Sequence, residues 1–475
     1  MFDSAFASIQ EIHAAYKERR TTVTEVVLQY LSRIGEIDSC EGGLKSVIEI
    51  NPDVVFLAKA CDKQMQDMDT LPPLFGIPVL LKDNINTADR LHTTAGSVAL
   101  ACNYAPYDAH IVKLLREAGA IILGKANMTE FANYMSRDGM PSGYSSRGGQ
   151  VLNPYNREKT PSGSSSGSAV AVAAGFCTVS IGTETSGSIL SPAANNGIVG
   201  IKPTMGLVSR CGIIPISGTF DTAGPMTRTV EDAAILLNII SGIDTGDPAT
   251  HLQEKSFVDY TKHLCADGLK GVRIGINRSQ KLDNFALNED EKAAFDNLCT
   301  VVSEAGAILV DNVNIDSNFA IGKLMRNEFK ACMNYYLSTL GECSKIKTLR
   351  DIVEYNQANA NIALRYGQSI LLDAENNTSG AMVEPEYLEA LLERERSVAE
   401  LDKLFDDISI DIMLCETFTN IAPFTGFPSI SVPIGQRTDN MPVGSYWIAR
   451  RFDEATLIKV AYAVEQTLGL CLRPE

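Results

Sequence analysis

Two clusters of serine and glycine carry the residues best suited to chemistry in this 475-residue chain. One spans Ser162 to Ser168 and the other Ser186 to Ser191, which puts Ser164 and Ser188 24 residues apart. Glycine and serine at this density let backbones approach closely and adopt φ values that other residues resist. Such stretches build either a tight polar pocket or a loose linker. The intervening segment, AVAVAAGFCTVSIGT, is too apolar to be exposed, which favours the pocket.

A serine nucleophile needs a proton acceptor. The five histidines (His13, His92, His110, His251, His263) show no metal-ligand spacing, and none follows residue 263. A zinc centre and a histidine base are therefore poorly supported. Gly163 to Gly167 formally matches the G-x-S-x-G elbow. That elbow needs a preceding strand and a late histidine, whereas loop residues such as Asn153-Pro154 and Thr160-Pro161 precede it here. A buried neutral lysine can replace histidine, directly or through a second hydroxyl. Lys82 closes the apolar run Phe75 to Leu81 and is the candidate. Two readings of it stand at this point: it caps the strand and reaches solvent, or burial keeps it neutral. Glu184 and the backbone N–H groups of the second cluster offer charge and an oxyanion hole.

The elements that must position these groups follow from periodicity. Residues 4–34 read as two helices, with a capping box at Thr22 to Glu25, and Asn51 to Gln66 is helix-like. Strands are expected at Phe75–Leu81, Ala120–Leu123, Ile213–Ile216, Val272–Ile276, Ala307–Val310, Ile410–Leu414, Phe427–Ile434 and around Trp447. Asp221 to Pro225 reads as a turn. Helices are expected at Asp108–Ala118, Thr229–Ile240, Asn288–Ala305 and Glu454–Leu468, and over most of 317–405, with an interruption at Glu375 to Gly380. The segment GAIILGKA resembles a phosphate-binding loop but has Ala126 where a magnesium-binding hydroxyl is required, and its AIIL is a strand. Helix alternating with strand predicts one large α/β domain with a central mixed sheet covered by helices on both faces. Its expected divisions are N-terminal helices over 1–70, a catalytic core over 71–240, and the rest of the sheet with a variable helical pocket wall at about 315–410 over 241–475.

Composition is globular, with 45% hydrophobic and 21% charged residues, and the net charge of −17 disfavours a broad nucleic-acid footprint. The 11 cysteines lack C-x-x-C spacing, Cys332 with Cys343 being the only local pair, and read as reduced, mostly packed thiols in the cytoplasm. There is no run of about 18 apolar residues, so no membrane span is expected.

The motifs together resemble the amidase signature family of serine hydrolases. They are Gly76-Ile77-Pro78 through Lys82-Asp83-Asn84, Gly124-Lys125-Ala126-Asn127-Met128-Thr129-Glu130-Phe131-Ala132, the two serine clusters, Val199-Gly200-Ile201-Lys202-Pro203-Thr204, and Gly426-Phe427-Pro428 through Val432-Pro433. The resemblance spans nearly the whole chain, is weakest at about 315–410, and looks nearest to the peptide-amidase subgroup in the run GLVSRCGIIPISGTFDTAGPM.

The resemblance implies a carboxamide hydrolase that needs no cofactor or metal. Ser188 is then the nucleophile, Ser164, after a cis peptide bond, the proton relay, and Lys82 the base. The N–H groups of Thr185, Ser186, Gly187 and Ser188 form the oxyanion hole, and Ser165, Glu184 and Asp221 support the site. The carbonyl near Ala132 meets the leaving amine. Phe131 and Tyr134, like Tyr335 and Tyr336, are aromatic candidates for substrate contact that suit the core equally well. Three positions depart from the family pattern: Ser186 for glycine, Glu184 for aspartate, and Leu190 for the arginine that usually pairs with that acid. The expected partner is a small-molecule or peptide amide, with no nucleic acid or membrane, and the expected state is monomer or homodimer. Two other readings stand beside this one: the amidase subunit of a glutamine-dependent tRNA amidotransferase, and an inactive binding protein on the same scaffold.

Overall fold

The computed structural model describes residues 2–253, 258–278, 287–311, 313, 315, 319–341 and 344–474; Cys343 lies outside them. Among the described residues thirteen strands are formed in chain order: β1 (Val47–Ile50), β2 (Pro78–Lys82), β3 (Ile121–Ala126), β4 (Tyr144–Ser145), β5 (Gly149–Gln150), β6 (Val179–Glu184), β7 (Val199–Lys202), β8 (Thr222–Thr227), β9 (Arg273–Asn277), β10 (Ile308–Val310), β11 (Ile412–Cys415), β12 (Ser429–Gln436) and β13 (Pro442–Ala449). Eleven form one sheet in the order β1-β3-β2-β6-β8-β7-β12-β13-β11-β9-β10, and β4 and β5 pair separately. β2 runs parallel to β3 and β6, and β9 parallel to β10 and β11. The remaining pairings are antiparallel, which makes the sheet mixed.

β2, β3, β6 and β8 are buried at every residue, so both faces of the sheet are covered at its centre. A strand covered on both sides reads as a continuous apolar run rather than an alternation, which is how β2 and β3 look in the sequence. The helix between β2 and β3, His110–Glu117, makes the parallel crossover that its amphipathic pattern implied. The helix Val23–Arg33 starts on the expected Thr22–Glu25 capping box. A second apolar cluster lies under the helices Ile321–Ser338, Leu349–Ala358 and Ser369–Asn377, which pack Phe329, Leu349 and Leu371 against Met128, Phe131 and Tyr134.

Several expectations are corrected. Asp221 to Pro225 is not a turn, because Thr222–Thr227 is a central strand between β6 and β7. Its glycine and proline suit the strand: a Cβ on Gly224 would lie 2.0 Å from the Ile201 carbonyl oxygen, and Pro225 falls just past the last β7 pair. Ile213 to Ile216 forms no ladder, only a single bridge between Ile213 and Ile85. β1 and β7 are strands that no expectation covered. The ten described cysteines are free thiols, and Cys40, Cys102, Cys265 and Cys471 are exposed rather than packed. No helix of the described residues is long and apolar enough to cross a membrane.

The crowding at Gly224 has a measurable consequence. Gly224→Ala should lower stability by about 1–3 kcal/mol, read as a lower urea midpoint at unchanged m-value. An unshifted midpoint would show that β8 has room at this position.

Candidate active site

Lys82 is the last residue of β2 and is fully buried. Its Nζ donates to Ser164 Oγ at 2.8 Å, Ser165 Oγ at 2.9 Å and the Thr183 carbonyl at 3.0 Å. Burial pulls its pKa down to about 7, against the raising effect of Glu184 and Asp221. Of the two readings left by the sequence, the solvent-reaching one is excluded. A lysine poised near neutrality exchanges a proton readily with a hydroxyl already in hydrogen-bond contact.

The first serine loop is tied down from several sides. The Gly163–Ser164 peptide bond is cis. The Ser164 carbonyl accepts from Thr129 N–H at 3.1 Å, and Ser165 N–H donates to the Ser188 carbonyl at 3.1 Å. Ser165 Oγ also donates to the Thr183 carbonyl at 3.1 Å. The buried helix Ser166–Ala173, made almost wholly of small residues, then carries the chain away toward β6. Ser164 Oγ and Ser188 Oγ share no hydrogen bond; the two loops meet through backbone. Contacts of this kind are often long in an empty site and tighten around substrate.

The second loop leaves β6 as Thr185, Ser186, Gly187 and Ser188. Gly187 has φ +81°, and a Cβ there would sit 2.8 Å from the Phe418 ring, so only glycine fits. Thr185 Oγ1 donates to Asp221 Oδ1 at 2.6 Å, while Asp221 Oδ2 accepts from the N–H groups of Ile216 and Ser217. Burial raises the Asp221 pKa to about 6. Ser186 Oγ, the extra side chain, donates to Asn420 Oδ1 at 2.8 Å. Glu184 Oε2 accepts from the N–H groups of Ile189 at 2.7 Å and Leu190 at 3.0 Å, so backbone donors occupy it where the family pattern has an arginine. No backbone hydrogen bond uses the N–H groups of Thr185, Ser186 or Ser188.

A cavity of about 590 Å³ opens beside this loop. Its lining includes Asn84, Ala132, Thr183, Glu184, Thr185, Asp221 and the segment Ile213 to Gly218, with Tyr107, Tyr335 and Tyr336 on another side. Lys82, Ser164 and Ser188 do not themselves line it; it reaches them through Thr183 to Thr185. Ala132 is on its wall, within a run of three non-glycine residues at positive φ, Phe131, Ala132 and Asn133. Backbone held this way concentrates at functional sites. Phe131 and Tyr134 point into the second apolar cluster instead, with Tyr134 edge-on to Phe329. Sequence reasoning passed over Asn84, Thr183 and the pair Arg210–Asp247, held at 2.6 Å. Asn84 and Arg210 stand inside quoted motifs, but nothing local says that they face a cavity.

The Amidase family model matches residues 25–424. A probable amidase of Arabidopsis thaliana is 38% identical over 97% of this chain and 90% of its own length. The native peptide amidase of Stenotrophomonas maltophilia superimposes with a TM-score of 0.93 at 38% identity, covering 100% of this chain and 99% of that one. A glutamyl-tRNA(Gln) amidotransferase component from Thermotoga maritima matches 100% of this chain and 99% of its own at a TM-score of 0.70 and 26% identity. The chain belongs to the amidase family, and it is an amide hydrolase of α/β fold.

Among the described residues, Ser165 is the one side chain that joins Lys82 to the end of β6 by hydrogen bonds to both. Ser165→Ala should cut kcat by about 10²-fold, the cost of a small misplacement, with the melting temperature little changed. Wild-type turnover would remove Ser165 from the site.

Proposed function

We propose that this chain hydrolyses a carboxamide through an acyl-enzyme on Ser188, with Lys82 as base and Ser164 as relay. The observation that carries the reading is the buried Lys82 amine in contact with Ser164 and Ser165, beside a loop in which the N–H groups of Thr185, Ser186 and Ser188 make no backbone hydrogen bond. Ser164 Oγ passes its proton to neutral Lys82 and takes the Ser188 proton as Ser188 Oγ attacks the carbonyl carbon. The oxyanion forms against the N–H groups of Thr185 to Ser188. The C–N bond then breaks as the proton returns through Ser164 to the leaving nitrogen. Water attacks the ester by the same route, giving carboxylic acid and ammonia or amine.

The substrate we favour is the amide of an amino acid or peptide with an apolar side chain. Ile213, Ile214, Pro215 and Ile216 give the cavity an apolar wall. Arg210, its one cationic side chain among the described lining residues, is already held by Asp247 and the Gly218 carbonyl. A substrate carboxylate would find no free cation there. The peptide amidase relative is consistent with this class.

Two measurements test the proposal. Ser188→Ala should lose on the order of 10⁴-fold or more in kcat while folding normally. Because Lys82 accepts a proton only when neutral, kcat/KM should climb with pH through about 7 and level off above it. Lys82→Ala should lose that limb together with about 10²–10⁴-fold in rate. Retained turnover in Ser188→Ala, or a flat profile from about pH 5 to 9, would overturn the mechanism. Turnover of a simple peptide amide by the isolated chain separates this reading from that of an amidotransferase component, which would need its partners.

A further inference from the structure

Glu184 lies at the end of β6, fully buried, and its Oε2 is filled by the N–H groups of Ile189 and Leu190. Its Oε1 is buried with no hydrogen-bond partner. A carboxylate in that position needs a countercharge, and Leu190 supplies none. Two strands away in the sheet order, Lys202 ends β7 and is itself only 2% exposed. Its Nζ has one hydrogen bond, to the Pro203 carbonyl at 2.9 Å, which leaves donors to spare. A second acid acts on the same ammonium: Glu454, fully buried at the start of the helix Glu454–Leu468. Glu454 Oε1 accepts from Thr204 N–H at 2.7 Å, and its Oε2 has no partner. Neither carboxylate forms a contact ion pair with the lysine, so this is a shared buried charge.

We propose that Lys202 is a positioning residue for the nucleophile loop: its ammonium keeps Glu184 ionised, and ionised Glu184 holds the backbone just after Ser188. The inference rests on the reading of Ser188 as nucleophile. The charges around the three groups are consistent with it. Burial lowers the Lys202 pKa to about 8, while Glu184 and Glu454 raise it and Arg394 lowers it. Burial raises the Glu184 pKa, and the Leu190 N–H and Lys202 are the leading effects that lower it. Lys82 faces Glu184 and Asp221, and Tyr446 also feels Glu184. Glu184 thus stands between two lysines, one for position and one for chemistry.

That arrangement makes a signature which mere destabilisation would not produce. Without Lys202, one of the effects that lower the Glu184 pKa is gone, so Glu184 is more readily protonated and Lys82 then loses a negative neighbour that holds its proton on. In Lys202→Met, kcat should fall by up to about 10²-fold with KM nearly unchanged, and the acid limb of kcat/KM should move to lower pH. Lys202→Gln, which keeps a donor for the Pro203 carbonyl, serves should the methionine variant not fold. Lys202→Arg should restore the position of the limb. Glu184→Gln should move the limb the same way, and adding Lys202→Met to it should cost little more. A limb at the wild-type pH in the folded Lys202 variants, or rate losses that multiply in the double variant, would overturn the inference. Turnover surviving in Ser188→Ala would instead bring down the reading beneath it.

Discussion

Everything in this site depends on keeping one lysine out of water. A primary amine in solvent is protonated at neutral pH and useless as a base. Lys82 escapes that state because β2 is buried on both faces and ends against two serine hydroxyls and a carbonyl. Its burial alone would push it further toward neutrality, and Glu184 and Asp221 pull it back. The outcome is a group balanced near 7, the range in which an amine both takes up and releases a proton readily.

The same carboxylates have a second use. Each is occupied by donors from the 185–190 loop or its supports: Asp221, at the cavity wall, by Thr185 and the 216–217 backbone, and buried Glu184 by the 189–190 backbone. Buried acids of this kind are costly unless hydrogen-bonded, and here their acceptors organise an irregular loop that no ladder could hold. Loop geometry and base strength are thereby coupled through the same charges. The Arg210–Asp247 pair has a different effect on the cavity, because a guanidinium already matched to its carboxylate presents little net charge to a ligand.

The sheet explains why residues so far apart meet. β2 and β6 are parallel neighbours, so Lys82 and Thr183 to Glu184 emerge at the same end. The helix Ser166–Ala173 packs on β6 and returns the chain to it, which brings Ser165 N–H against the Ser188 carbonyl. The helix Ile321–Ser338 lends Cys332, Tyr335 and Tyr336 to the cavity wall, and it and the helices through Asn377 take Phe131 and Tyr134 into their own apolar cluster.

The parts of the site were legible in the sequence because catalysis ties them to local patterns. The serine clusters, the lysine closing an apolar run and the capped helices are statements about neighbours along the chain. Strand β8 was not legible, because Asp-Thr-Ala-Gly-Pro has turn composition and becomes a strand only when β6 and β7 flank it. Whether Phe131, Tyr134, Tyr335 and Tyr336 face core or cavity was equally hidden, since an aromatic ring satisfies either setting. The residue types and order determined the class of chemistry. The tertiary structure alone decided that Lys82 is dry, that backbone N–H groups bind Glu184 where the family pattern has an arginine, and which side chains wall the cavity. Burial and long-range charge depend on what packs around a residue, and no stretch of sequence contains its own surroundings.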